Sequence, residues 1–203
     1  DFECRIKPNQ GRDFSAYCIA ARDIYDKYDY VCCLKYKKAP HTSYLAAESF
    51  DKQCWDSVLF SRDYVNNCLR LFYDHHSAGM IFSSPPNFGP YIALGNEMSK
   101  DRQHVLYLWK ELKLQIPQEE SDLIAPFGSI FWIKSAAIRT MLSHHWTYEE
   151  MPAEPIGPDG TLLHGLERIW AYAAQNDGYY PVIATPTLLG EIYYGHALLQ
   201  LRD

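Results

Sequence analysis

Short apolar runs that suit buried strands alternate along this chain with segments whose apolar residues recur at helical spacing. The strand-like runs are residues 28–36 (YDYVCCLKY), 78–86 (AGMIFSSPP), the start of 128–142 (GSIFWIKSAAIRTML) and 179–186 (YYPVIATP). The helical segments are residues 15–25, 62–76, 103–114 and 156–174. Strands that alternate with helices of these lengths predict an α/β fold, Rossmann-like, with a mainly parallel sheet flanked by helices.

Composition narrows the class of protein. A chain of 203 residues that is 47% hydrophobic can bury the core of one globular domain. Its formal net charge of −6 argues against general nucleic-acid binding, which needs a basic face to neutralise phosphates. No apolar run approaches the ~20 residues of a membrane-spanning helix. We therefore expect partners other than nucleic acid, and no transmembrane segment.

The six cysteines do not suggest a disulfide framework or a zinc site. Cys32 and Cys33 are adjacent in a strand-like run, so their side chains point to opposite faces. No Cys-x-x-Cys pair occurs anywhere in the sequence. We interpret the cysteines as reduced thiols of a cytoplasmic protein.

Residues 7–14 (KPNQGRDF) form the first candidate site. Asn9 and Gly11 permit a tight turn with exposed backbone amides, and Arg12 and Asp13 follow at an expected helix start. Amides, a helix N-terminus and a guanidinium together favour a phosphate or a nucleotide edge. An ordinary glycine turn with Asp13 as the helix cap explains the same residues, and spacing leaves both interpretations open.

A basic cluster follows the first strand-like run, where ligands of α/β sheets often bind. Lys35 and Lys37 alternate and so share one face at the strand end, with Lys38 and His41 just beyond. These side chains could hold a diphosphate, or they could form a solvated edge of lysines.

Residues 156–174 (IGPDGTLLHGLERIWAYAA) combine an apolar stripe with an unusual polar patch. The expected buried stripe consists of Leu163, Leu166, Ile169, Trp170 and Ala173.

The polar patch of this helix contains His164, Glu167 and Arg168, which are related by helical spacing. Asp159 stands at the helix start, where the helix dipole and free amides favour an ionised carboxylate. A cap with a surface ion pair and the working end of an active site both fit this pattern.

Six of these stretches, in order, resemble the motifs of the rhamnan synthesis protein F family. They are NQGRD (9–13), YDYVCCLKYKK (28–38), GMIFSSPP (79–86), PFGSIFWIKSAAI (126–138), PDGTLLHGLERI (158–169) and GYYPV (178–182). Members are bacterial glycosyltransferase-type proteins of rhamnose-rich cell-wall polysaccharide and lipopolysaccharide assembly. The DGTLxHxxER stretch and the GSxFW strand carry the resemblance most specifically.

The resemblance implies a GT-A-like glycosyltransferase that binds a nucleotide-sugar beside an acceptor cleft. Transfer with inversion then needs a carboxylate to accept the proton of the acceptor hydroxyl, and Asp159 is the candidate base. The implied ligands of the donor and its diphosphate are Asn9, Gly11, Arg12, Asp13, Lys35, Lys37, Lys38 and His41. The implied acceptor-binding or supporting residues are Trp132, His164, Glu167 and Arg168.

The chain departs from the GT-A pattern in two places. Many such enzymes hold a divalent metal with an Asp-x-Asp motif, whereas residues 34–38 read Leu-Lys-Tyr-Lys-Lys. We therefore expect no metal cofactor, although Mg²⁺ or Mn²⁺ use stays open. An initial strand and helix are expected before Asn9 and are missing, so the chain is interpreted as a single-domain fragment, with a donor side at 1–95 and an acceptor side at 96–203.

The sequence thus predicts a sugar transferase of bacterial surface polysaccharide synthesis. The expected donor is dTDP-rhamnose, and the expected acceptor is an oligosaccharide or lipid-linked glycan at the inner face of the cytoplasmic membrane. Two alternatives remain: a non-catalytic glycan-binding or scaffolding domain, and another nucleotide-dependent transferase, such as one for sugar phosphates.

Overall fold

The computed structural model describes residues 2–36, 44–85, 98–118, 124–157 and 159–200. Within these ranges the α-helices are α1 (Arg12–Ser15), α2 (Tyr44–Leu59), α3 (Arg62–Asp74), α4 (Arg102–Glu111), α5 (Arg139–Ser143), α6 (Leu162–Asn176) and α7 (Thr187–Gln200). The strands are β1 (Tyr30–Cys33), β2 (Ala78–Phe82), β3 (Phe131–Lys134) and β4 (Tyr180–Ile183). The predicted α/β class is confirmed, because helices flank a single mixed sheet formed by these strands.

The prediction of a mainly parallel sheet is wrong. The strand order is β1-β3-β2-β4, and β3 pairs antiparallel with both β1 and β2. Only the β2–β4 pairing is parallel among the described strands. It follows that β1, β2 and β4 run in one direction and that β3 lies between β1 and β2 in the opposite direction.

The error has a physical cause in the connection that leads to β3. A helix between two strands indicates a parallel crossover only when the connection returns the chain to the end of the sheet at which the first strand began. The chain between β2 and β3 covers residues 83–130 and includes α4. This connection instead starts β3 at the end of the sheet where β2 finishes.

The sheet is covered on both faces, as the side-chain alternation of β2 shows. Every residue of β2 is buried, which explains why its sequence reads as a continuous apolar run. Met80 and Phe82 point into the main core, and Ile81 points to the opposite face. There it packs with Cys68 and Phe72 of α3 in a smaller core.

Helix α6 is the element that positions most of the site described below. It packs against α4, α5 and the sheet. The predicted buried stripe is confirmed, because all of its members are buried: Leu163, Leu166, Ile169, Trp170 and Ala173.

Several local features differ from the sequence-based expectations. The helix expected at residues 15–25 is a succession of α1, a π-helical turn (Ala16–Ala20) and a 3₁₀ turn (Arg22–Asp26). Helices α2 and α7 were not anticipated. All six cysteines lie in the described ranges and are free thiols, as expected. In the described part of the chain, the helices are too short or too polar to cross a membrane.

A substitution at Gly79 tests how tightly β2 packs against the chain that precedes β4. A Cβ atom at Gly79 would lie 2.4 Å from Cβ of Tyr179 and 2.9 Å from Cβ of Ala137, which is too close on both sides. We expect Gly79→Ala to lower the free energy of unfolding by about 1–3 kcal/mol through overpacking, measured by urea denaturation.

Gly190→Ala in α7 is the matched control, because no atom lies within 4 Å of its added Cβ. This substitution should leave the free energy of unfolding unchanged or raise it by up to about 1 kcal/mol. Equal urea midpoints for Gly79→Ala and the wild type would contradict the packing described here.

Candidate active site

A small pocket opens where α1, the end of β1 and the first half of α6 meet. Its volume is about 380 Å³, counting the space open to solvent. It is lined by Gly11, Arg12, Asp13, Phe14, Lys35, Ser129, Leu163, His164, Glu167 and Trp170. Six candidate residues that are scattered along the sequence, Gly11, Arg12, Asp13, Lys35, His164 and Glu167, therefore converge on one place.

The turn before α1 requires a glycine at position 11. Gly11 has a φ of +71°, and an added Cβ would lie 2.7 Å from Cγ of Met151 and 2.8 Å from Cβ of Ser15. The predicted tight turn is thus confirmed, but Gly11 itself occupies the position before the helix and Asp13 does not cap it. This geometry frees Asp13 to face the pocket.

Asp13 and Lys35 form the central ion pair of the pocket. The Nζ atom of Lys35 lies 3.0 Å from Oδ1 of Asp13, and both side chains are largely shielded from solvent. Burial alone would lower the pKa of Lys35, but the carboxylates of Asp13 and Glu167 raise it above its usual value. Lys35 is therefore a charged donor whose position is fixed by a carboxylate.

Arg12 lies at the exposed margin of the pocket. Its Nε atom donates to Oε1 of Glu154 at 3.0 Å, and an Nη atom donates to the carbonyl of Ile156 at 3.3 Å. These contacts connect α1 to the loop before α6, which also contains Asp159. The pKa of Glu154 is lowered, chiefly by the hydrogen bond from Arg12.

Glu167 holds the turn that forms another wall of the pocket. Its Oε1 atom accepts from the backbone N–H of Gly128 at 3.1 Å, and its Oε2 atom accepts from the hydroxyl of Ser129 at 3.3 Å. Gly128 and Ser129 have φ values of +85° and +52°, so the carboxylate holds a left-handed turn next to β3. Glu167 is thus both a lining residue and a support for the GSxFW segment.

His164 lines the pocket and connects it to a buried polar cluster. Its Nδ1 atom is 2.8 Å from Oγ1 of Thr161, the residue before α6. Burial lowers the pKa of His164, although the charge of Glu167 opposes this shift. The imidazole is therefore neutral near neutral pH.

The buried cluster contains Asp101, Asp159 and Arg168. Asp159 and Arg168 are among the candidates identified from the sequence, but Asp101 is not. Arg168 was expected on the polar face of α6, but it is 5% exposed and its Nη1 atom lies 2.9 Å from Oδ2 of Asp101. The guanidinium also lies over the ring of Phe127, 5.5 Å from its centroid. This placement makes Arg168 a structural partner of Asp101, and it does not line the pocket.

The carboxyl groups of Asp101 and Asp159 lie close together, with one oxygen of each within 4.8 Å of the other. Burial raises the pKa of Asp101, the Arg168 guanidinium opposes that rise, and the neighbouring Asp159 adds to it, which leaves the pKa at about 7. Asp101 therefore holds a proton below that pH.

Asp101, Asp159 and His164 could also be considered as metal ligands. Each offers one ligand atom, and these atoms lie within 4.8 Å of one another. However, the Nη1 atom of Arg168 already lies 2.9 Å from one of these carboxylates, so a cation would have to compete with the guanidinium. The expectation of a metal-independent site stays a prediction.

Three further predicted residues, Asn9, Trp132 and Asp159, do not line the pocket. Asn9 is exposed, and Trp132 packs in the sheet with its indole N–H donating to the carbonyl of Val58 at 3.0 Å. Lys37, Lys38 and His41 lie outside the described residues.

Sequence reasoning missed Asp101, Glu154 and Ser129. Asp101 directly precedes α4 at the position where acidic caps are common, and this signal could have drawn attention to it. Its pairing with Arg168 could not have been found, because no local pattern connects α4 with α6. Ser129 was inside a motif that carried the resemblance, but no spacing rule indicates that it faces Glu167.

The pKa of Asp101 predicts a specific dependence of stability on pH. Below about pH 7 the folded chain holds a proton on Asp101 that an exposed carboxyl group of usual pKa 3.8 would have released. The folded state then binds more protons than the unfolded state, so this group's contribution to stability is lost as pH rises toward about 7. We expect Asp101→Asn, relative to wild type, to gain more than about 1 kcal/mol in free energy of unfolding from about pH 5 to about pH 8.

Urea denaturation across this pH range measures the difference in free energy of unfolding between Asp101→Asn and the wild type. Groups that titrate in the same way in both proteins cancel in this difference. Asp63→Asn, at an exposed position in the first turn of α3, is the control and should give a constant difference. A constant difference for Asp101→Asn as well would show that the carboxyl titrates at its usual pH.

Comparison with known proteins identifies the family of the chain. A family model described as rhamnan synthesis protein F matches residues 1–179. No curated protein and no solved structure gives a match. Since the matched region covers every residue that lines the pocket and most of the 203-residue chain, the chain belongs to the rhamnan synthesis protein F family, and this membership implies involvement in rhamnan synthesis.

Proposed function

We propose that this chain is a glycosyltransferase domain of bacterial surface polysaccharide synthesis, which transfers a sugar from a nucleotide-sugar to a glycan acceptor with inversion. The observation that carries the proposal is the position of Asp159. Its carboxylate lies within 4.8 Å of a His164 ring nitrogen and of the Asp101 carboxylate, and His164 lines the pocket. A carboxylate close to a pocket can supply the base that proton abstraction from an acceptor hydroxyl requires.

In the proposed reaction, an acceptor hydroxyl oxygen attacks the anomeric carbon of the donor sugar. The new C–O bond forms as the bond to the diphosphate breaks, and the nucleoside diphosphate leaves with the bonding electron pair. Asp159 accepts the proton of the attacking hydroxyl. Asp101 lies within 4.8 Å of Asp159 and pairs with Arg168, so the base stands beside a buried, charged contact.

The proposed donor is dTDP-rhamnose, because membership of the family implies rhamnan synthesis. The departing diphosphate needs nearby positive charge. The basic cluster that follows β1 in the sequence contains Lys37, Lys38 and His41, and we propose that these residues supply this charge. We propose that these residues act without a metal, and that the acceptor is a lipid-linked glycan at the inner face of the cytoplasmic membrane.

Asp159→Asn tests the role of the base. The amide keeps the size and polarity of the side chain but cannot accept the proton, so the rate of sugar transfer should fall by about 10²–10⁴-fold. Donor affinity should change little, because Asp159 contacts the acceptor in this mechanism. Transfer is measured with radiolabelled dTDP-rhamnose and a rhamnan oligosaccharide, and Asp63→Asn serves as the control at an exposed position. A variant that transfers sugar at the wild-type rate would exclude Asp159 as the base.

Nucleotide titration separates an enzyme from a glycan-binding domain. Calorimetry with dTDP, UDP and GDP, each with EDTA or with Mn²⁺, should give selective binding of one nucleotide that persists in EDTA. Lys37→Ala with Lys38→Ala should weaken that binding at least tenfold, whereas Lys110→Ala in α4 should not. Binding that requires Mn²⁺ would contradict the metal-independent site, and sugar binding without nucleotide binding would favour a non-catalytic glycan-binding domain.

A further inference from the structure

The described residues that line the pocket at α1, β1 and α6 include equal numbers of cationic and anionic side chains. We propose that it holds the hydroxyl groups of one neutral sugar ring and not the diphosphate of the donor. This proposal rests on the proposed function, because it assigns one part of a sugar substrate to the pocket. Under this proposal Arg12, Asp13 and Lys35 bind sugar hydroxyl groups, whereas the family resemblance of the sequence implies that they bind the donor and its diphosphate.

The charges that line the pocket cancel one another. Arg12 and Lys35 are positive, Asp13 and Glu167 are negative, and the lowered pKa of His164 leaves its ring neutral. Each cation is also held by a carboxylate, Lys35 by Asp13 at 3.0 Å and Arg12 by Glu154 at 3.0 Å. A diphosphate that entered this pocket would meet no excess positive charge from the described lining residues, and it would have to compete with carboxylates already in place.

The same ion pairs are well suited to sugar hydroxyls. A hydroxyl group both donates and accepts, so it can bridge a carboxylate and an ammonium without changing the charge balance. Both oxygens of Glu167 already accept from Gly128 and Ser129, but a carboxylate oxygen has a second lone pair for a further donor. The pocket therefore offers charged acceptors and charged donors, whose hydrogen bonds are stronger than neutral ones.

The rest of the lining agrees with this occupant. Phe14, Leu163 and Trp170 line the pocket with apolar groups that can contact the C–H face of a ring. His164 places this ring next to the Asp101–Asp159 pair, where the proposed proton transfer occurs.

The test compares a neutral sugar with an anion in the same pocket. The probes are L-rhamnose and inorganic pyrophosphate, and binding to the full chain is followed by saturation-transfer NMR and by titration. Asp13→Asn and Glu167→Gln each remove one negative charge at nearly constant size. If a neutral ring binds here, both variants should weaken rhamnose binding at least tenfold and pyrophosphate should not displace the sugar. Rhamnose binding should also be unchanged between low and high salt, because no net charge is neutralised.

If the pocket instead binds an anion, the carboxylate substitutions and added salt should have different effects on binding. Removing one carboxylate would then strengthen pyrophosphate binding, and added salt would weaken it. That result, displacement of rhamnose by pyrophosphate, or the absence of rhamnose binding would overturn the proposal. Lys52→Met, in the exposed Lys52–Asp56 pair of α2, controls for the loss of an ion pair elsewhere. Urea denaturation confirms that each variant is folded, and Asp13→Glu is a second variant that keeps the charge if Asp13→Asn is unstable.

Failure of this proposal can be told apart from failure of the proposed function. If rhamnose binds as expected but neither nucleotide binding nor sugar transfer is detected, the sugar pocket stands and the transferase does not. If nucleotide binding and transfer occur but pyrophosphate competes with rhamnose, the transferase stands and the pocket holds the diphosphate.

Discussion

The buried contact between Arg168 and Asp101 is the interaction on which the rest of the site depends. Both side chains are almost fully buried, at 7% and 0% exposure, so each has lost its hydration. Because the pKa of Asp101 is raised to about 7, the two side chains form an ion pair above that pH. Removing one partner of a buried ion pair typically costs about 3–5 kcal/mol, because the other charge is left buried alone. A well-packed apolar pair could give similar stability, so the value of this contact lies in fixing a geometry.

That geometry connects three parts of the chain. Arg168 lies on α6, Asp101 directly precedes α4, and Asp159, in the loop that leads into α6, lies within 4.8 Å of Asp101. The Nη1 atom of Arg168 also donates to the backbone carbonyl of His164, one turn earlier on the same helix, at 3.1 Å. The same guanidinium therefore contacts the helical turn that carries His164 and the aspartate next to Asp159.

The sequence was informative where local rules decide the structure. The apolar stripe of α6, the continuous apolar run of β2 and the glycine turn before α1 all follow from periodicity or from backbone sterics. The direction of β3 and the partner of Arg168 depend on long connections and on contacts between distant segments, which no local pattern encodes. The polar patch of α6 shows how far local rules reach. Its members could be identified from helical spacing. That Arg168 is buried and that Glu167 faces the pocket could not be predicted, because both depend on where α4 and β3 lie.

One helix thus carries two different chemical tasks. Glu167 and Arg168 are adjacent in sequence, and on an α-helix adjacent side chains point in directions about 100° apart. Glu167 consequently faces the pocket and the turn at Gly128, while Arg168 faces Asp101. His164, one turn earlier, lies between these directions and contacts both regions. The separation keeps the paired charges of the pocket apart from the buried contact between Arg168 and Asp101.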